Sequence, residues 1–235
     1  MSTTTQHTSD RSLRLLTTLC GLLGVAALVV SFAINPGPPP GATAAEVIAF
    51  ANQHRTTILL GAWLQGIGSL LNVLFVLALV YLAGARHRFA GWLTLLAGAT
   101  VLMVSLVEVT GYLVYAQASA HGDLTGAMIG TDVTEAIQHV FLIAPALLLP
   151  LGAVLLGSRL LPRVFGYLAL MLGSLLQILG LVGLFTALQP VIDNLLTAEL
   201  VWMAAAAIAL ALGRGEPATI RPTVTQPIVD GGSVL

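Results

Sequence analysis

Residues 131–157 read TDVTEAIQHVFLIAPALLLPLGAVLLG, and the fold follows from how this stretch is taken. Asp132 followed three residues later by Glu135 is a helix start signal. From there the sequence runs apolar to Gly157, the length of a membrane-crossing helix. Its outer third carries Glu135 and His139, an i, i+4 pair on one face. Ionisable groups at membrane depth are costly and usually face a partner or a cavity, so this pair points toward function.

Composition extends that reading to the whole chain. The 235 residues are 57% hydrophobic and 8% charged, with mean hydropathy +0.96. Soluble domains carry about 25% charged residues. The fold class expected is therefore all-α: a polytopic membrane protein whose main partner is the lipid bilayer. A formal net charge of −1 argues against nucleic acid. The nine basic residues are all Arg, a bias of genomic rather than functional character. Cys20 is the single cysteine, so no intramolecular disulfide is available.

Working outward, six apolar runs of about 20 residues are expected as transmembrane helices over 12–34, 55–83, 90–118, 132–157, 164–188 and 195–213. Residues 1–11 are Ser/Thr-rich and read as a disordered tail. The first run is too long for a signal peptide core, so it is expected to be retained. Pro36, Pro38, Pro39 and Pro40 force the chain out of the membrane. Residues 43–53 have helical spacing and read as a short amphipathic helix at the interface. Residues 119–131 read as a loop. The stretch 214–235 is rich in Pro and Thr and is expected to be a disordered cytoplasmic tail.

Arginine counting sets the orientation. The N-terminal segment, the turns at 84–89 and 158–163 and the C-terminal tail hold Arg11, Arg14, Arg86, Arg88, Arg159, Arg163, Arg214 and Arg221. The other three loops hold only Arg55. Positive residues stay on the cytoplasmic side, which predicts both termini inside a bacterial inner (plasma) membrane. A Gly-Ser-Leu-Leu match at Gly68 and Gly173 hints at inverted repeats, but four residues in Leu-rich sequence carry little weight.

A helical rise of about 1.5 Å per residue converts position into depth. On that scale His139 and Glu199 lie roughly 10 Å and 7 Å below the outer ends of their helices, and Glu108 and Gln65 roughly 15 Å in. Ser105, Glu108, Tyr112 and Tyr115 share one face of the third expected helix. His54, Gly61, Gln65, Gly68 and Asn72 share one face of the second, a stripe that packed membrane helices also use for close approach.

Three readings of these groups compete. In the first, Glu108, Glu135, His139 and Glu199, with Gln65 and Tyr112, line an outward-facing cavity that binds a small solute or relays protons. In the second, Glu108 is protonated or pairs with His139 and only ties the third and fourth helices together, as in a structural or partner-binding subunit. In the third, Glu135 and His139 hold a metal ion, although a single His with scattered Glu lacks a tight ligand spacing. Enzyme chemistry has little support, because no Gly-x-Ser-x-Gly elbow, phosphate loop or HExxH is present. No cofactor is implied: a bis-histidine haem needs two well-buried His, and only His139 qualifies. Self-association is left open by the residues.

Gln138-His139-Val140, the Gly152-to-Gly157 helix end, Ser158-Arg159-Leu160-Leu161-Pro162-Arg163 and Phe165-Gly166-Tyr167 resemble a bacterial family of six-helix membrane proteins known only as a domain of unknown function. The resemblance implies the fold and topology and brings no activity. Members often carry an Arg-x-x-Glu pair early in the third helix. Here that region reads Gly91-Trp92-Leu93-Thr94, so no role for such a pair transfers.

Overall fold

The computed structural model describes residues 3–35, 37–39, 41–141, 147–183, 185–186 and 189–213. They form eight helices, with no strand among the described residues: α1 (Thr3–Ile34), α2 (Ala44–Gln53), α3 (Arg55–Leu82), α4 (Phe89–Ala120), α5 (Leu124–Phe141), α6 (Leu148–Leu156), α7 (Arg163–Gly183) and α8 (Gln189–Ala211). Five segments are long and apolar enough to cross a membrane: Arg11–Ile34, Arg55–Leu82, Phe89–Ala120, Arg163–Gly183 and Asn194–Ala211. The chain is a multi-pass membrane protein. Accordingly, large apolar side chains such as Leu96, Met103 and Leu106 on α4 and Ile178 and Leu181 on α7 are exposed.

Several boundaries differ from the sequence expectation. The helix α1 starts at Thr3, inside the segment read as a disordered tail. No Gly or Pro precedes Cys20, and extending an existing helix costs far less than nucleating one. The helix expected from Asp132 starts instead at Leu124, so most of the expected loop 119–131 is helical. Only a tight turn separates α4 from α5: Gly122 takes φ +68, and the Asp123 carboxylate accepts the Gly126 N–H at 3.0 Å. Asp123 is therefore the cap that was assigned to Asp132.

The expected helix 132–157 is described as α5 and α6, with 142–146 outside the described residues. Pro150 explains where α6 begins. It sits in the first turn of α6, where its missing N–H has no intrahelical partner to lose. In an uninterrupted helix from Asp132 it would fall in the interior. Pro190 stands likewise in the first turn of α8, which starts at Gln189 rather than at 195 and takes in Asp193. The tail 214–235 lies outside the described residues.

The helices close into a ring. Helix α1 packs on α3 and α8, α3 on α4, α4 on α5 and α6, α6 on α7, and α7 on α8. Thr18 donates to the Ala207 carbonyl at 3.4 Å, so the middle of α1 lies beside the last turns of α8. Arg88, just before α4, donates to the Gly157 carbonyl just after α6 at 3.1 Å. One apolar core joins Phe75 and Leu79 of α3, Leu148 and Leu151 of α6, Leu176 of α7 and Ala206 and Leu210 of α8. A smaller one, at the other end of α3 and α4, holds Val47, Ala51, Ile58, Tyr115, Ala116 and Ala127. Small residues bring backbones close. A Cβ on Gly68 would meet the Gly24 carbonyl oxygen at 3.0 Å, and one on Gly152 the Gly166 carbonyl oxygen at 2.9 Å.

Helix α2 is pinned rather than loosely laid at the interface. Tyr115 Oη donates to the Val47 carbonyl at 3.1 Å, and Asn52 Nδ2 to the Ser119 carbonyl at 3.2 Å. Its start is a capping box: Glu46 Oε2 accepts from Thr43 N at 2.7 Å and from Thr43 Oγ1 at 2.8 Å. Those donors, the backbone N–H first, hold the Glu46 carboxyl below its ordinary value of 4.5. A lowered pKa in the folded state stabilises α2 above pH 4.5, and that contribution disappears as pH falls through the lower folded value. Hydrogen-exchange protection of residues 44–53 is expected to hold steady above that pH and decline below it. The decline should shrink in Thr43→Ala, which removes the hydroxyl donor and keeps the backbone N–H, and vanish in Glu46→Gln, which has no carboxyl to protonate.

Candidate functional site

The polar groups inside the bundle meet along one seam between α3 and α4. Gln65, Ser69 and Asn72 are four and seven residues apart on α3, and Ser105 and Glu108 three apart on α4, so each set lies on a single helical face. The helices run antiparallel, which places Gln65 opposite Glu108 and Ser69 opposite Ser105. Gln65 Nε2 donates a hydrogen bond to Glu108 Oε2. Ser105 Oγ donates to Ser69 Oγ at 2.6 Å. All are buried, Gln65 to 2% and Glu108 to 4% residual exposure, so neither bond competes with bulk water.

The seam is not fully satisfied. Gln65 Oε1 and Asn72 Oδ1 are buried with no hydrogen-bond partner among the described residues. Asn72 Oδ1 faces α1, where a Cβ on Gly24 would lie 2.5 Å from it. Only a glycine at 24 leaves room for the Asn72 amide.

The expected site residues are distributed as follows. Gln65 and Glu108 are brought together. Tyr112, half-buried, stands one turn from Glu108 on the same face of α4. Glu135 is exposed on α5. Glu199 is half-buried on α8, which stands across the ring from α4. His139 belongs to α5, and its side chain lies outside the described residues. No group of three His, Cys, Asp or Glu side chains able to hold a metal occurs among the described residues.

Ser69 is the seam residue the sequence reading passed over. Its signal in the sequence is its place as the i+4 neighbour of Gln65, within the Gly-Ser-Leu-Leu match. Further along, Trp202 Nε1 donates to the Phe165 carbonyl at 3.1 Å and clasps α8 to α7. Chemically, the seam presents a carboxyl, two amides and two hydroxyls; Glu108 pairs with Gln65 and Ser105 with Ser69, and among the described residues one acceptor stays unfilled beside Glu108 and another on Asn72 against α1.

Residues 12–213 match the family described as Domain of unknown function (DUF4386). The chain belongs to this family. The match spans every helix from the apolar part of α1 to the end of α8, so the seam is built wholly within the family's domain. No curated protein and no solved structure matches the chain.

Proposed function

We propose that this chain is a non-enzymatic, six-crossing protein of a bacterial plasma membrane, both termini cytoplasmic, in which the Gln65–Glu108 and Ser69–Ser105 pairs lock α3 to α4. The observation that carries the lock is the pairing itself: two polar groups of α4 each meet one of α3 in a buried interface. Interhelical hydrogen bonds of this kind contribute about 0.6 kcal/mol each in membrane proteins, at most about 1.7.

Six crossings are supported by the path of α5 and α6. Helix α5 leaves the end of α4 at Gly122, and α6 ends at Gly157, held by Arg88 at the start of α4. Helices α5 and α6 thus begin at one end of α4 and finish at the other, as a sixth crossing requires. A phosphatase reporter, active only when exported, is expected to be silent after Leu235 and active after His121. Activity after Leu235 would overturn the orientation.

One observation favours a second reading, a site for a proton or a small donor: Gln65 Oε1, next to Glu108, has no partner among the described residues. Access from the outer side is covered by α2 and the Val47–Tyr115 cluster, so that reading requires α2 to move. Proteoliposomes loaded with a pH-sensitive dye distinguish the two. Under an imposed pH gradient the lock expects wild type and Glu108→Gln to dissipate it equally slowly. Fast dissipation by wild type that Glu108→Gln abolishes would overturn the lock in favour of the proton site.

A further inference from the structure

The two arginine-bearing turns, read in the sequence only as an orientation signal, form one surface. Arg88 reaches from the α3–α4 turn to the Gly157 carbonyl in the α6–α7 turn, so the two turns are joined at 3.1 Å. This brings Arg86 and Arg88 to the same rim as Arg159 and Arg163, and all four are exposed. No Asp or Glu occurs between Glu46 and Glu108 or between Glu135 and Asp193, so neither turn carries an acid of its own or has one in its flanking helices close by. The two turns therefore bring four exposed guanidinium groups and no carboxylate of their own to the rim.

Aromatic side chains mark its level in the membrane. Tyr81, Phe89, Trp92 and Tyr167 are all exposed, and each lies within about two turns of one of these arginines in the sequence. The Arg86 guanidinium stands 5.7 Å from the centroid of the Tyr81 ring. Exposed aromatic rings bordering arginines are the composition of a membrane–water interface, where headgroups lie. Guanidinium groups bind phosphate bidentately, which an ammonium cannot do, and this chain has no Lys at all.

We propose that the rim formed by Arg86, Arg88, Arg159 and Arg163 docks anionic phospholipid, the phosphate held by guanidinium groups and the acyl chains lying along the exposed apolar faces beside Trp92 and Tyr167. A free anion would use only the guanidinium groups. The aromatic border and the lipid-facing surface below it favour the lipid.

The test is a titration of the full-length protein in nonionic detergent, read by native mass spectrometry, with phosphatidylglycerol and with phosphatidylcholine of the same chains. Phosphatidylglycerol is expected to bind at least ten-fold more tightly. Arg86→Gln with Arg163→Gln should weaken it by roughly 30-fold and leave phosphatidylcholine unchanged; Arg163→Gln alone should weaken it by roughly five-fold. Arg55→Gln, at the opposite end of α3, should bind both lipids as wild type does. Equal binding of the two lipids, unchanged binding in the double variant with a wild-type helical spectrum, or an equal loss in Arg55→Gln would overturn the proposal. Displacement of the lipid by equimolar inorganic phosphate would overturn it in favour of a small-anion site. If the double variant misfolds, unchanged binding in Arg163→Gln overturns it.

Discussion

Gly130→Ala is expected to destabilise the folded protein by about 2 kcal/mol, although alanine is the better helix former. A Cβ at 130 would lie 2.6 Å from Tyr115 N, 2.8 Å from Tyr115 Cα and 2.9 Å from Tyr115 Cβ. These are largely backbone atoms of α4 and cannot swing aside, so α4 and α5 must separate. Their separation moves Tyr115, whose hydroxyl holds the Val47 carbonyl, and so loosens α2 as well. Gly66→Ala is the control. Its Cβ would meet only Val109 Cγ2, at 3.6 Å, an ordinary contact, and the gain in helix propensity should leave stability unchanged or higher by up to about 1 kcal/mol. Unfolding in mixed micelles, followed by helical circular dichroism, measures both. Equal effects of the two substitutions would contradict the close approach of α4 and α5 at Gly130.

The second large effect is at the seam. Glu108→Leu removes the acceptor of Gln65 Nε2 and leaves the whole Gln65 amide buried with no partner among the described residues, where Gln65 Oε1 already has none. An orphaned buried polar group costs about 1–3 kcal/mol, and roughly 2 kcal/mol is expected here. Glu108→Gln keeps an acceptor of the same size at the same place. It should cost less than about 1 kcal/mol, within the range of membrane interhelical bonds. The same unfolding measurement checks it: a Glu108→Leu protein as stable as Glu108→Gln would show that the Gln65 amide does not depend on Glu108.

Much of the seam was legible before the structure. Helical spacing placed Ser105, Glu108 and Tyr112 on one face and Gln65 with Asn72 on another, and rise per residue put Gln65 and Glu108 at one depth. What spacing cannot carry is rotation about each helix axis and position around the ring. Depth counting therefore grouped Glu135 and Glu199 with Glu108, whereas Glu135 is exposed on α5 and Glu199 stands on α8, across the ring from α4. Ser69 was missed for the same reason. At the edge of the Gln65–Gly68–Asn72 stripe it reads as packing until the register with Ser105 is known. The boundaries failed differently. Pro150 and Pro190 announce helix starts through their missing N–H, and Asp123 caps α5, but continuous apolar sequence outweighed these local signals.

A double-mutant cycle between Gln65→Leu and Glu108→Leu, read as unfolding free energy in mixed micelles, bears most directly on the α3–α4 lock. If the two side chains hold the helices through each other, the double variant should lose less than the sum of the singles, by roughly 1 kcal/mol or more. Additivity within about 0.3 kcal/mol would contradict the lock.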